Sequence, residues 1–211
     1  MNLFEAIGKQ MQYPQGLFGK ILFAWMTRNT IAHARWTLSL MDIKPDDHII
    51  EIGFGNGANI ELLLQRAPGG TVTGVEISQT AIEMASKKNA AAISRGKVQL
   101  HLAAGDALPF AADVFDKACT VATAYVIADP GAVFREMYRV LKPGGRAAVT
   151  FPVRENFMKF KPVRATGFYL HPLADLQQAF RDAGFVHSRT ERNDAVRFGA
   201  NCMLGEKAVV K

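Results

Sequence analysis

Cysteine is scarce in this chain of 211 residues: there are two, Cys119 and Cys202. Neither belongs to a Cys-x-x-Cys or zinc pattern, and Cys119, in an apolar stretch, is expected to be a buried free thiol. The histidines (His33, His48, His101, His171, His187) show no His-x-x-x-His spacing, so no metal is expected. No stretch approaches the roughly 18–20 uninterrupted apolar residues that span a bilayer. The N-terminus also lacks the basic-then-apolar layout and cleavage site of a secretory signal. A cytoplasmic protein is therefore expected. Internal repeats and low-complexity runs are missing too, which excludes solenoids and tails.

Hydrophobic residues make up 49% of the sequence, enough for the chain to fold rather than stay disordered. The length suits one α/β domain over 1–211 with a small cap. Formal net charge is +6, unevenly spread. Residues 131–211 hold 14 Lys/Arg against seven Asp/Glu, whereas residues 47–130 hold six against nine. A basic C-terminal third suits an acidic small-molecule partner, a membrane surface or nucleic acid, although a solvated face is the preferred reading.

Residues 1–46 read as a helical cap. Within 29–42, Ile31, Ala34, Leu38 and Met41 recur at helical spacing. An apolar, aromatic segment over 17–26 precedes it, and Tyr13-Pro14-Gln15-Gly16 reads as a turn. Strands are expected over 48–52, 71–77, 98–103, 117–123 and 146–151. Helices alternate with them over 58–66, 79–89 and 130–141. Ser78 and Asp129 are the expected N-caps, with Pro130 at the first helical position. A last helix over 172–183 ends at Gly184, and 186–198 with 202–210 form a closing antiparallel pair. Strands alternating with helices imply a largely parallel sheet covered on both faces. The expected units are a cap (1–46), a core (47–151), a covering loop (152–171) and a last helix with closing strands (172–211).

Four segments carry function. Glu51-Ile52-Gly53-Phe54-Gly55-Asn56-Gly57 joins a buried strand to a helix, and glycine there lets a ligand approach the main chain. In open α/β sheets ligands sit beyond the C-terminal strand ends. Glu76 ends the next strand, where a carboxylate can accept ribose hydroxyls. Gly105-Asp106-Ala107 follows the third strand, where an acid can accept from an adenine amino group. Leu141-Lys142-Pro143-Gly144-Gly145 is a structural turn into the fifth strand. Taken singly, each has a plain reading as a tight turn or a strand-end acid; taken in this order they are specific.

These four segments resemble the class I, Rossmann-like S-adenosylmethionine-dependent methyltransferases, in particular the small-molecule enzymes related to those of ubiquinone and menaquinone biosynthesis. The resemblance covers roughly residues 44–151 and implies a three-layer α/β fold. Its sheet has seven strands, mostly parallel with an antiparallel last strand, under an N-terminal helical cap. It implies S-adenosylmethionine as cofactor, with S-adenosylhomocysteine as product. The implied cofactor contacts are Glu51, Gly53, Gly55, Asn56, Gly57, Glu76, Ile77, Asp106, Ala107 and Thr123. Glu51 would orient the loop or the cofactor's amino group, Thr123 would offer a carbonyl, Ala107 an N–H to adenine, and Ile77 a surface for the ring. The expected step is an in-line displacement to N, O, S or C of a small acceptor.

Residues 121–130 (VATAYVIADP) depart from the family, in which an Asn and two aromatics are frequent there. Ala122, Val126 and Ile127 are smaller or aliphatic, so a roomier pocket is expected. Tyr13, Tyr125 and His171 are the candidate catalytic contacts, although capping of the last helix is the preferred role for His171. The basic, aromatic segment 153–164 suits a carboxylate or phosphate, or a solvated loop. Residues 17–35 suit a lid more than a membrane contact. The rival readings are an NAD(P)-dependent oxidoreductase, a nucleic-acid or protein methyltransferase, and a non-catalytic member of the fold. Against the first, the loop is Gly-x-Gly-x-Gly rather than Gly-x-Gly-x-x-Gly. Against the second, no Asn-Pro-Pro-Tyr-like motif and no appended RNA-binding module is present.

Overall fold

The computed structural model describes residues 3–12 and 16–209, except the side chains of 12, 17–20 and 23–29. Two helices lead, α1 (Leu3–Gln12) and α2 (Gly16–Leu40). Strands and helices then alternate: β1 (His48–Ile52), α3 (Ala58–Arg66), β2 (Thr71–Glu76), α4 (Gln79–Lys88), α5 (Ala90–Ser94), β3 (Val98–Leu102) and β4 (Phe115–Val121). After a short 3₁₀ turn (Ala124–Val126) come α6 (Pro130–Val140), β5 (Leu141–Pro152), α7 (Arg154–Phe157), α8 (Lys161–Arg164), α9 (Leu173–Asp182), β6 (Val186–Asn193) and β7 (Ala200–Glu206).

The sheet has seven strands in the order β3-β2-β1-β4-β5-β7-β6. Pairings from β3 through to β5 are parallel, and β7 runs antiparallel to both β5 and β6. Strand order reverses between β1 and β4, which opens a crevice above their C-terminal ends.

Alternation along each strand divides the core. Ile50 and Ile52 of β1 face a cluster built on Val133, Phe134 and Met137 of α6 and Phe180 of α9. Ile49 faces the other way, toward Leu38 of α2, Ile60 and Leu63 of α3, and Ala85 of α4. Both faces are covered, which is why the strands read as continuous apolar runs. Cys119 and Cys202 are buried free thiols in the second cluster.

The caps are as expected. Ser78 accepts from the Ala81 N–H, and Asp129 accepts from the Ala132 N–H with Pro130 opening α6.

Three elements differ from the sequence reading. The 17–26 and 29–42 segments merge in one 25-residue helix, α2, because no proline or glycine interrupts residues 20–40. Lys142–Gly145 is a bulge inside β5 rather than a turn before it. Leu141 pairs with Phe115 and Arg146 with Lys117, and the excursion is pinned by Gly144 N–H to Lys207 O (2.8 Å) and Lys207 N–H to Gly145 O (2.9 Å). The 153–164 segment is not a solvated loop throughout. It forms α7 and α8, which bury Phe157 and Val163 and leave Arg154, Lys159, Lys161 and Arg164 outside. The Tyr13 turn lies outside the described residues.

Candidate active site

Above the β1/β4 reversal lies a cleft of about 470 Å³. Its floor is the glycine-rich loop between β1 and α3. Gly53, Gly55 and Gly57 all have left-handed backbone (φ 72°, 59° and 74°). At Gly53 a methyl group would stand 2.5 Å from the Thr123 Cγ2 atom, so the loop is held against the end of β4 by the lack of a side chain. At Gly57 it would meet Asn89 and Ala85 of the neighbouring helix. Gly53 N–H donates to Val75 O at 2.8 Å, tying the loop to β2.

Glu76, at the end of β2, gathers three main-chain donors. Gly55 N–H reaches Oε2 at 3.1 Å, while Ile77 N–H (2.8 Å) and Ser78 N–H (3.1 Å) reach Oε1. Burial raises its pKa, against these three bonds, which lower it. A carboxylate offers about four lone-pair directions. Three are used, and one on Oε2 is left facing the cleft that Glu76 lines.

Glu51 lies beneath the loop, fully buried in mid-sheet opposite Gly74 and Cys119. Asn59 of α3 donates to Oε1 at 2.9 Å, and Oε2 has no partner among the described residues. Burial pushes the carboxyl up to about 7, Glu76 adds to the rise, and the Asn59 bond opposes it. An acid poised near neutrality with an orphaned oxygen is fitted to meet a positive charge.

The cleft wall beyond β4 is apolar, formed by Ala122, Tyr125, Val126 and Ile127. Ala122 has φ 57°, unusual for a residue with a side chain, and is held there by its N–H on Thr150 O (2.8 Å). Tyr125 is buried against Phe157 and Phe168, with ring centroids 4.8 and 5.5 Å away. Burial pushes its phenol well up, so it keeps its proton.

Of the sequence candidates, Gly53, Gly55, Asn56, Glu76, Ile77, Asp106, Thr123 and Tyr125 share this lining. Ile77 is 57% exposed at its edge, a bare aliphatic surface suited to a flat ring. Glu51 and Gly57 lie behind the loop and act through it. Ala107 is exposed outside the lining, and its N–H turns back to Ala104 O at 3.3 Å. The Thr123 carbonyl accepts from Val126 N–H at 2.9 Å, closing the 3₁₀ turn.

His171 lies outside the cleft and does not cap α9, whose N-cap is Pro172. Its Nε2 stands 2.9 Å from Ile127 O. A carbonyl only accepts, so Nε2 carries the proton, and His171 braces the apolar wall from behind. Tyr13 lies outside the described residues.

Sequence reasoning missed Asn59, Met11 and Thr30. Asn59 was signalled by a polar residue in the first turn of the helix after the loop. Met11 lines the cleft from α1, and its spacing from Ile7 was the available signal. No local pattern marked Thr30. Among the described residues, no group of three or more His, Cys, Asp or Glu is placed to hold a metal ion. No described helix is long and apolar enough to cross a membrane.

Comparison with known proteins agrees with this geometry. Residues 50–149 match the family model described as a methyltransferase domain. A demethylmenaquinone methyltransferase of Symbiobacterium thermophilum is 33% identical over 221 aligned positions, covering 84% of this chain and 86% of the relative. An uncharacterized methyltransferase of Bacillus subtilis is 28% identical over 151 residues, 72% of this chain and 78% of the relative. A solved structure of an S-adenosylmethionine-dependent methyltransferase from Aquifex aeolicus superposes with a TM-score of 0.70 at 16% identity, over 97% of this chain and 98% of that one. At that identity the likeness speaks for the fold.

Proposed function

Because this chain belongs to the S-adenosylmethionine-dependent methyltransferases that act on small molecules, we propose that the cleft over β1, β2 and β4 seats the cofactor on Glu76. The acceptor then lies against the apolar wall of residues 122–127. The observation that carries this reading is the Glu76 carboxylate, fixed by three main-chain N–H groups with one lone-pair direction open to the cleft. That open direction accepts one ribose hydroxyl. A second must displace the 3.1 Å Gly55 bond. Ile77 covers one face of the adenine, and the exposed Asp106 accepts from its amino group. Glu51, once ionised, attracts the amino group of the methionine part from beneath the loop.

When bound, the cofactor supplies a methyl group already activated on a sulfonium. What the chain must supply is alignment and dryness. The apolar wall excludes water and holds the acceptor in line, which in favourable systems supplies about 7–11 kcal/mol. Among the described residues, the ionisable side chains lining the cleft are Glu76, Asp106, Asp129 and Tyr125. Glu76 is occupied by main-chain donors, Tyr125 keeps its proton, and Asp129 caps α6. An acceptor that attacks without a protein base, through a soft or already ionised atom, suits this set. The aliphatic residues at 122, 126 and 127 leave room for a bulky, largely apolar acceptor.

The test is calorimetric titration with S-adenosylmethionine, with NAD in parallel, on wild type and a Glu76→Ala/Asp106→Ala variant. A hydrogen bond to a charged group contributes about 1.5–3 kcal/mol. The variant should therefore lose at least about a hundredfold in affinity. Binding of NAD without S-adenosylmethionine would overturn the reading.

A further inference from the structure

Behind the apolar wall is a second cavity, of about 370 Å³, with Tyr125 as the shared partition. It lies between the end of β5, α7, the 169–173 segment and the start of β7. Phe151, Phe157 and Leu176 form its apolar part. Its polar groups are unlike those of the first cleft. Asn201 lines it at 6% exposure, and its side-chain amide makes no hydrogen bond with any described residue. The amide is therefore open to a ligand in the cavity.

Arg154 stands at the rim. Its Nε donates to Leu170 O at 2.9 Å, which fixes the guanidinium plane and leaves both Nη groups without an acceptor among the described residues. Arg192 also lines the cavity, held by Asp194 at 2.9 Å, with Glu155 beside it. Glu155 lines the cavity too, so the two arginines and two acids balance; among the described residues no carboxylate pairs with Arg154, which leaves its guanidinium as the donor available to a ligand.

We propose that this cavity is a binding site for a small organic anion: a carboxylate or phosphate ester on a compact apolar body. The anionic oxygens accept from the two Nη groups of Arg154 and from Asn201 Nδ2, a fork-and-amide arrangement suited to planar or tetrahedral oxyanions. The body lies on Phe151, Phe157 and Leu176. The volume is at the lower end of the roughly 300–1,000 Å³ range of small-molecule sites. The site stands whether or not the molecule held there accepts a methyl group.

Benzoate and phenyl phosphate are the probes, with benzyl alcohol as the uncharged control, titrated by calorimetry into wild type, Arg154→Gln and Asn201→Leu. Each sample is also titrated with S-adenosylmethionine. At least one anionic probe should bind more tightly than benzyl alcohol. Either variant should weaken it by about tenfold or more, through loss of the charge-assisted hydrogen bonds that its side chain donates, with cofactor affinity unchanged. Arg154 is exposed, so its variant folds even if Asn201→Leu does not. The proposal fails if neither anion binds, if benzyl alcohol binds equally, or if Arg154→Gln leaves anion affinity intact. Failure of wild type to bind the cofactor would instead strike the methyltransferase reading and leave this one standing.

Discussion

Replacing Glu51 by glutamine should make the protein's stability less dependent on pH, and the size of the effect follows from where Glu51 sits. In the unfolded chain its carboxyl titrates near 4.5, and in the folded chain it is pushed up to about 7, chiefly by burial. The folded state therefore binds the proton more tightly. The stability this contributes is fully present below pH 4.5 and is lost as pH rises through about 7. That gap corresponds to about 3 kcal/mol between pH 4 and pH 8. The amide introduced by Glu51→Gln keeps an oxygen for the Asn59 amide, 2.9 Å from Oε1 in the native protein, and never ionises, so the loss disappears. Glu76, whose pKa is also raised, contributes a slope of the same sign in both proteins and cancels in the comparison. The assay is urea unfolding of both proteins at intervals from pH 4.5 to pH 8.5. Wild type should lose stability relative to the variant across pH 5–8, by about 3 kcal/mol in all. Parallel curves over that range would refute the account of Glu51 as an acid held neutral by burial. The same substitution should weaken S-adenosylmethionine binding most at pH 8, where the wild-type carboxylate is ionised.

Gly53→Ala should lower cofactor affinity about tenfold or more and stability by about 1–3 kcal/mol, since it combines a left-handed φ of 72° with a contact on Thr123. Calorimetry and denaturation of the one variant check both, and adding Thr123→Ala should relieve only the contact. Phe134→Ala should cost about 3–5 kcal/mol in denaturant unfolding, since Phe134 is fully buried and meets Phe180 edge-on at 5.4 Å. A loss under about 1 kcal/mol would mean that the α6–α9 layer is not where the core is.

The Glu51–Gly57 run, Glu76, Asp106 and the Ser78 and Asp129 caps were legible in the sequence because each follows a local rule. A glycine turn between a buried strand and a helix, an acid at a strand end, and a short polar side chain before a helix all act within a few residues of themselves. The alternation of strands with helices likewise determined that the sheet is largely parallel and covered on both faces. Local rules could not decide which polar atoms find partners across the fold. Asn59 taking one oxygen of Glu51, His171 bracing Ile127, and Thr150 holding Ala122 depend on how the assembled elements meet, some of them tens of residues apart. So did the bulge at Lys142–Gly145, which a Pro-Gly-Gly signal reads as a turn until Lys207 arrives to pair with it. The sequence alone determined the kind of chemistry, because backbone geometry and charge at a loop are local. The tertiary structure decided which acid is neutral, where the acceptor wall lies, and that the Asn201 amide is left facing a cavity, because burial and hydrogen-bond satisfaction are properties of the assembled chain.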